Sequence, residues 1–312
     1  MKDIFGLAGH KALVVGGGYG SGRLTAHLLA EAGASVAVAD INAERAEAVA
    51  AEIGGFAVAG DVTTPAGATR VVDTAYELLG GLTRLANIVG LVKMEAFIDN
   101  TPDHWRQQMD LNLMQQVYVC QAAGRHMLAN SSGKGGGAIA MVSSVAGLYG
   151  ATNQVAYGMA KAGVNSLTRS LAAEWGPSGI RVNAIAPDIT AVPRLIDQVP
   201  GTEEEALAMF DAMAKSKGVP LQRFGRAEEL ARPLLFLLSD MSSYMTGQCL
   251  VIDGGTSSRT LTTSVHDDTA PQPVVKVSVT VQVRGQGGGP SSSSIGVSDE
   301  GSSNSSNGMG SR

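Results

Sequence analysis

The 312-residue sequence predicts a doubly wound α/β domain followed by a C-terminal extension, and three observations carry that prediction. Short apolar runs alternate along the chain with stretches of helical periodicity, the order expected of a sheet covered by helices on both faces. A glycine cluster lies between the first apolar run and the first helical stretch. An aspartate closes the second run. The alternation stops near Gly255, so residues 1–256 form the predicted domain and residues 257–312 the extension.

Composition narrows the function. Lys and Arg number 23 and Asp and Glu 28, a net charge of 23 − 28 = −5 with the basic residues scattered. Such a surface does not suit a nucleic acid or another polyanion, and a small-molecule partner fits better. No apolar run approaches the ~18 residues of a membrane span. The opening MKDIFGLAGHKALVVGGG has an acid at position 3 and a glycine-broken apolar stretch, which argues against a signal peptide and for a cytoplasmic protein. Cys120 and Cys249 fit no metal or redox spacing, so they read as packing residues in a reducing compartment, and no metal site is expected.

Lys11 to Val15 is the first strand, Gly16-Gly17-Gly18-Tyr19-Gly20-Ser21-Gly22 the turn, and a helical pattern runs on through Ala32. That order makes a phosphate site, because N–H groups at a helix start face an anion and missing side chains let it approach. A tight turn alone would also use the glycines. Ser35 to Ala39 is the second strand. Asp40 at its end, eighteen residues past Gly22, can accept both ribose hydroxyls of an adenosine and would repel a 2′-phosphate, so NAD is preferred to NADP. The other use of such a residue, a helix N-cap, falls better to Asn42 before the helix Ala43 to Ile53. Phe56 to Ala59 is the third strand and leads into Gly60-Asp61-Val62-Thr63, where Asp61 can also shape the turn before a helix starting near Pro65.

Leu85 to Val89 is the fourth strand. Trp105 to Met127 reads as one long helix in which Asn112, a mediocre helix former, sits between two leucines. Ala138 to Val142 and Ile180 to Pro187 are the fifth and sixth strands. Residues 191–218 mix apolar side chains, which suggest a moderately hydrophobic substrate, with Glu203-Glu204-Glu205, a helix start. A helix from Ala227 to Ser239 and a strand within Gly247 to Gly255 complete the domain.

The chemistry concentrates in Ser144 to Lys161. A helix beginning at Gln154 puts Tyr157 and Lys161, four apart, on one face. A fixed cation beside a phenol favours the phenolate and lowers a pKa that is otherwise near ~10, which would let Tyr157 exchange a proton with a substrate oxygen. Ser144, just past the fifth strand, can hydrogen-bond the same oxygen at the sheet edge where such folds place ligands. Tyr-x-x-x-Lys by itself is more often an amphipathic surface pair.

Ser144, Tyr157 thirteen residues on and Lys161 four beyond, with Gly16, Gly20 and Gly22 in the turn, resemble the active site and cofactor motif of the short-chain dehydrogenase/reductase family, and the likeness runs from about Lys11 to Gly255. The resemblance implies a single-domain, Rossmann-like parallel sheet of about seven strands, assembled as a homotetramer or homodimer. It implies that Asn112 holds a water connecting Lys161 to solvent, that Ser144 positions the substrate oxygen, and that Lys161 binds ribose and tunes Tyr157. For the cofactor it implies contacts from Gly16, Tyr19, Gly20, Ser21 and Gly22, from Asp40, from Asp61 and Val62 on the adenine side, and from Asn87, Tyr157, Lys161, Pro187 and Thr190. The chain departs from the pattern at Val15 and Ile88, where relatives carry a threonine and an asparagine, and at Asp188, where they carry glycine. Loss of both members of a polar pair can be nearly neutral, so Val15 and Ile88 read as a repacked link.

The implied activity is NAD-dependent interconversion of a secondary alcohol and a ketone. A keto-acyl thioester reductase is the rival, although it usually needs a basic residue for NADP near Asp40, and Arg45 stands several residues too late. A non-catalytic NAD-binding sensor or scaffold would not need all of Asn112, Ser144, Tyr157 and Lys161. In the extension, Val275, Val277, Val279, Val281 and Val283 alternate with polar residues, as in a strand with one apolar face, and the Ser/Gly-rich remainder has too little to bury to fold. Such a strand is expected to add to an existing sheet edge as an assembly arm.

Overall fold

The predicted alternation is realised in order. The structure, a computed structural model, describes residues 4–130 and 136–258. Its strands are β1 (Lys11–Val15), β2 (Ser35–Asp40), β3 (Phe56–Ala59), β4 (Arg84–Asn87), β5 (Ala138–Val142), β6 (Arg181–Pro187), β7 (Thr190–Ala191), β8 (Gly225–Arg226) and β9 (Cys249–Ile252). The helices are α1 (Gly20–Glu31), α2 (Ala43–Ile53), α3 (Pro65–Leu79), α4 (Pro102–Met109), α5 (Gln115–Asn130), α6 (Val155–Trp175), α7 (Pro193–Ile196), α8 (Glu203–Ser216) and α9 (Glu228–Leu238). Seven strands make one parallel sheet in the order β3-β2-β1-β4-β5-β6-β9, and β7 and β8 form a separate short ribbon. The strand order reverses direction between β1 and β4, which opens a crevice at their carboxyl ends.

Parallel strands covered on both faces read as continuous apolar runs, and the burial explains the sequence. Leu13 and Val15 of β1 face a core built with α3, α5 and α6, whereas Ala12 and Val14 face a second core built with α1, α2 and α9. Helix starts follow local chemistry. The Asn42 side chain accepts from the Arg45 N–H at 2.9 Å, Thr64 caps α3 ahead of Pro65, and Thr202 with Glu205 forms a reciprocal capping box at α8. Each such cap is worth about 1 kcal/mol. The Glu203 run is therefore a helix start, as the sequence suggested.

Two features depart from the sequence reading. The expected single helix from Trp105 to Met127 is interrupted by a π-helical turn at Asp110–Met114. The fourth strand runs from Arg84 to Asn87 and ends two residues early. Val15 and Ile88 stay linked through the backbone, the Ile88 N–H donating to the Val15 carbonyl at 3.0 Å while both side chains pack in the cores. The valine alternation at 275–283 and the rest of the extension lie outside the described residues.

Candidate active site

The residues singled out from the sequence converge on the carboxyl edge of the sheet. Gly16 follows β1, Asp40 ends β2, Asp61 and Val62 follow β3, Asn87 ends β4, Ser144 follows β5, and Pro187 ends β6. Tyr157 and Lys161 approach from the first turns of α6.

Ser144 starts a short 3₁₀ turn at Val145–Gly147, and its hydroxyl accepts from the Ala146 N–H at 3.2 Å. The same hydroxyl donates to the Pro187 carbonyl at 3.4 Å and is hydrogen-bonded to Tyr157. The loop is clamped to α6 from two sides, by Ser143 Oγ on the Lys161 carbonyl at 3.0 Å and by Asn165 Nδ2 on the Gly147 carbonyl at 3.1 Å. Lys161 is only 1% exposed, and its Nζ donates to the Val142 carbonyl at 2.8 Å and lies 5.5 Å from the centre of the Tyr157 ring.

The electrostatics correct one expectation. Lys161 does not bring the phenol down: burial raises the Tyr157 pKa above its ordinary value, with the Ser144 hydrogen bond pulling the other way. Burial pushes Lys161 itself down to about 7. Desolvation penalises the charged form of both groups.

Asn112 is fully buried, and the π turn explains how it is held. Its Nδ2 donates to the Gln108 carbonyl at 3.1 Å, the acceptor that its own backbone N–H would use in a regular α-helix, and to the Leu91 carbonyl at 3.0 Å. Its Oδ1 accepts from the Leu91 N–H at 2.9 Å. A Cβ at Gly90 would stand 2.9 Å from Lys161 Nζ and 3.1 Å from Asn112 Oδ1, so glycine here leaves both side chains their room. The sequence reading gave no role to Gly90, although it closes the Asn87-Ile88-Val89-Gly90 stretch that resembles the family's Asn-Asn-Ala-Gly, and it did not single out Gln108 or Asn165. Asn87 is also buried, and its side chain donates to Gln115 Oε1 at 3.0 Å within the fold.

At the crevice, the first turn of α1 has no side-chain cap and no acidic residue; the Gly22 and Arg23 N–H groups donate to the Tyr19 carbonyl, which leaves those of Gly20 and Ser21 for an anion. Asp40 is held by the Gly18 and Asn42 N–H groups, each at 3.0 Å, and a Cβ at Gly18 would meet its Oδ2 at 2.8 Å. This cradle and carboxylate fit a dinucleotide. Arg45 stands closer than its sequence position suggested. Its Cβ also lies 2.8 Å from the Gly18 Cβ position, and its guanidinium stacks 4.8 Å over the Tyr19 ring. The Tyr19 hydroxyl donates to the Asp197 carboxylate just past α7, tying the glycine turn to the segment above it. Asp61 turns its carboxylate onto Thr63, Val62 packs into the core, and the Thr190 hydroxyl donates to the Asp188 carbonyl at 3.0 Å.

A cavity of about 360 Å³ opens beside Ser144, walled by Tyr149, Gln154, Asp188, Asp253 and Thr256 among others. The apolar side chains of residues 191–218 that suggested a hydrophobic substrate pack together instead, Phe210 and Ala214 with Phe224, Leu195, Ile196 and Met213. Among the described residues no group of His, Cys, Asp or Glu could hold a metal ion, and no helix is long and apolar enough to cross a membrane. Both cysteines are free thiols, and burial pushes Cys120 up to about 12 and Cys249 to about 11.

This Rossmann-like sheet, with a serine, a tyrosine and a lysine at its carboxyl edge, is that of a nicotinamide-dependent oxidoreductase. Residues 17–257 match the family model described as enoyl-(acyl carrier protein) reductase, and the chain belongs to the short-chain dehydrogenase/reductase family. It is 34% identical to D-threitol dehydrogenase of Mycolicibacterium smegmatis, over 80% of this chain and 94% of that one. It is 35% identical to NAD-dependent glycerol dehydrogenase of Listeria innocua (81% and 96%) and 33% identical to a 3-oxoacyl-[acyl-carrier-protein] reductase of Thermotoga maritima (80% and 98%). The crystal structure of a short-chain type dehydrogenase/reductase from Mycobacterium marinum superposes with a TM-score of 0.73 at 35% identity, covering 82% of this chain and 99% of that one.

Proposed function

We propose that the protein oxidises a secondary alcohol to a ketone, reversibly, with NAD. The observation that carries this reading is the Ser144–Tyr157–Lys161 cluster, whose Ser144 lines the cavity, with the Asp40 carboxylate at the end of β2. Bound NAD would supply the hydride acceptor. Ser144 orients the substrate oxygen, Tyr157 takes its proton, and Lys161 holds the nicotinamide ribose. Asn112 supports a water that returns the proton to solvent. Gly16, Tyr19, Gly20, Ser21 and Gly22 take the diphosphate, Asp61 and Val62 the adenine edge, and Asn87, Pro187 and Thr190 the nicotinamide side.

Burial keeps the proton on Tyr157 at neutral pH. Ketone reduction therefore finds its proton donor ready, and alcohol oxidation should quicken as pH rises. The Asp40 carboxylate favours free ribose hydroxyls over a 2′-phosphate. The family relationship and the free thiols support action in the cytosol as a homodimer or homotetramer, and Phe97 (67% exposed) and Ile98 (90% exposed) offer apolar surface for a second copy. The test is a panel of cyclic, acyclic and aromatic secondary alcohols with NAD and with NADP, followed by absorbance of the reduced cofactor. Turnover confined to NADP, or absent throughout, would overturn the reading.

A further inference from the structure

We propose that Asp188 makes this a site for vicinal diols and polyols: its carboxylate accepts a hydroxyl on the carbon next to the one oxidised. The proposal rests on the alcohol-oxidising reading above and adds the substrate class.

Asp188 lines the cavity together with Ser144, and the two are tied in space. Ser144 Oγ donates to the carbonyl of Pro187, and Asp188 is the next residue, one Cα step of ~3.8 Å away. The root of its side chain is fixed. The Asp188 N–H donates to the Ile252 carbonyl at 3.0 Å, and its own carbonyl accepts from Thr190 at 3.0 Å. The carboxylate is half-buried and makes no hydrogen bond or ion pair among the described residues. A partly desolvated charge without a partner is unfavourable until a donor reaches it.

Asp253, the other carboxylate in the wall, is a different case. Its oxygens accept from the Gly255 N–H at 2.9 Å and the Ser257 N–H at 2.6 Å, so it serves a turn. The wall therefore offers one open anionic acceptor among neutral groups such as Gln154 and Thr256. A hydroxyl, with one proton to give and lone pairs to share, matches that set. An ammonium needs acceptors for three protons, and an anionic substrate is repelled. A site built to bond a hydroxyl also discriminates against the analogue that lacks it.

The test compares three substrates on one ring: cyclohexanol, trans-cyclohexane-1,2-diol and trans-2-aminocyclohexanol, with wild type, Asp188→Gly and Asp188→Asn. In wild type, kcat/KM for the diol should exceed that for the mono-ol by about 10- to 100-fold, the effect of a hydrogen bond to a charged group. The ratio should fall to near one in Asp188→Gly and keep an intermediate value in Asp188→Asn. A wild-type ratio near one, a ratio that survives in Asp188→Gly, or an amine better than the diol would overturn the proposal. If none of the three is oxidised, the alcohol-oxidising reading fails instead, and calorimetric titration of diol and mono-ol into NAD-saturated protein still decides on Asp188. A tighter diol that loses its advantage in Asp188→Gly supports the role, and equal binding in wild type rejects it.

Discussion

The sheet edge and the segment above it are built on opposite plans. Ser144, Lys161 and Asn112 are buried, Tyr157 beside them is half-buried, and nearly all the hydrogen bonds of the first three go to backbone groups of strands, loops and helices in the main cores. The segment from Asp188 to Phe224 has a small core of its own; backbone bonds tie its two ends, Asp188 N–H to the Ile252 carbonyl at 3.0 Å and Leu221 N–H to the Gly254 carbonyl at 3.1 Å, and side-chain links hold it between them: Arg226 to Asp211 at 2.8 Å, Arg223 to Glu229 at 2.6 Å, and Tyr19 to Asp197. Backbone-anchored groups hold one geometry for the reaction. Side-chain links can be exchanged without disturbing the sheet.

Breaking the chemistry should have the largest effect. Tyr157→Phe removes only the phenolic proton and should lower kcat by about 10³-fold, within the range of a lost acid–base group, while the dissociation constant for NAD, read by fluorescence titration, stays within about twofold on the same grounds. Lys161→Ala should damage both. Retention of more than a few per cent of activity by Tyr157→Phe would remove that residue from the mechanism.

Cofactor choice tests whether the lower region also decides selectivity. Asp40→Ser should raise the NADP-to-NAD ratio of kcat/KM by about tenfold or more. Arg45, stacked on Tyr19 beside Asp40, should then hold the 2′-phosphate, so adding Arg45→Ala should erase most of that gain. An unchanged ratio in Asp40→Ser would sink the assignment.

The buried lysine gives a smaller, signed effect on stability. Its pKa near 7 in the fold lies below the unfolded value, so over that window the unfolded chain holds more proton. Stability should therefore rise with pH from about 7 to about 9, by on the order of 1 kcal/mol per pH unit, until the thiols of Cys120 and Cys249, whose pKa values burial raises, begin to ionise in the unfolded chain alone and reverse the slope. Denaturant unfolding of wild type and Lys161→Met across that range isolates the slope, which the variant should lack.

The smallest effect should come from the upper segment. Tyr19→Phe and Asp197→Asn each remove an exposed contact and should speed NADH dissociation by a few-fold, as for a surface pair. In stopped flow the double variant should be no faster than either single one, since both cut the same link. Additive effects would mean that the two residues act separately.

The sequence made the lower region legible because its signals are local. Strand, glycine turn and helix are contiguous, Asp40 closes a strand, and Tyr157 and Lys161 share one helix face. The misses are non-local. Gly90 matters only because Lys161 and Asn112, 71 and 22 residues away by subtraction of their numbers, both approach the place a Cβ would take. Arg45 looked too late in the chain because helix α2 folds back its first turn toward Gly18. The apolar residues of 191–218 could not be assigned from sequence between lining a cavity and packing together, and the fold packs them together. The Tyr157 and Lys161 pKa values depend on burial, which no spacing reveals.

The π turn at Asp110–Met114 is also a spacer. Its wider turn takes up one residue more than an α-helical turn without rotating the helix that follows, so Val119, Ala123 and Met127 of α5 face the core beyond it. Deleting Leu113 would therefore restore a regular helix and leave those three side chains in place. The loss would fall on Asn112, whose backbone N–H would then take the Gln108 carbonyl that its side chain now holds.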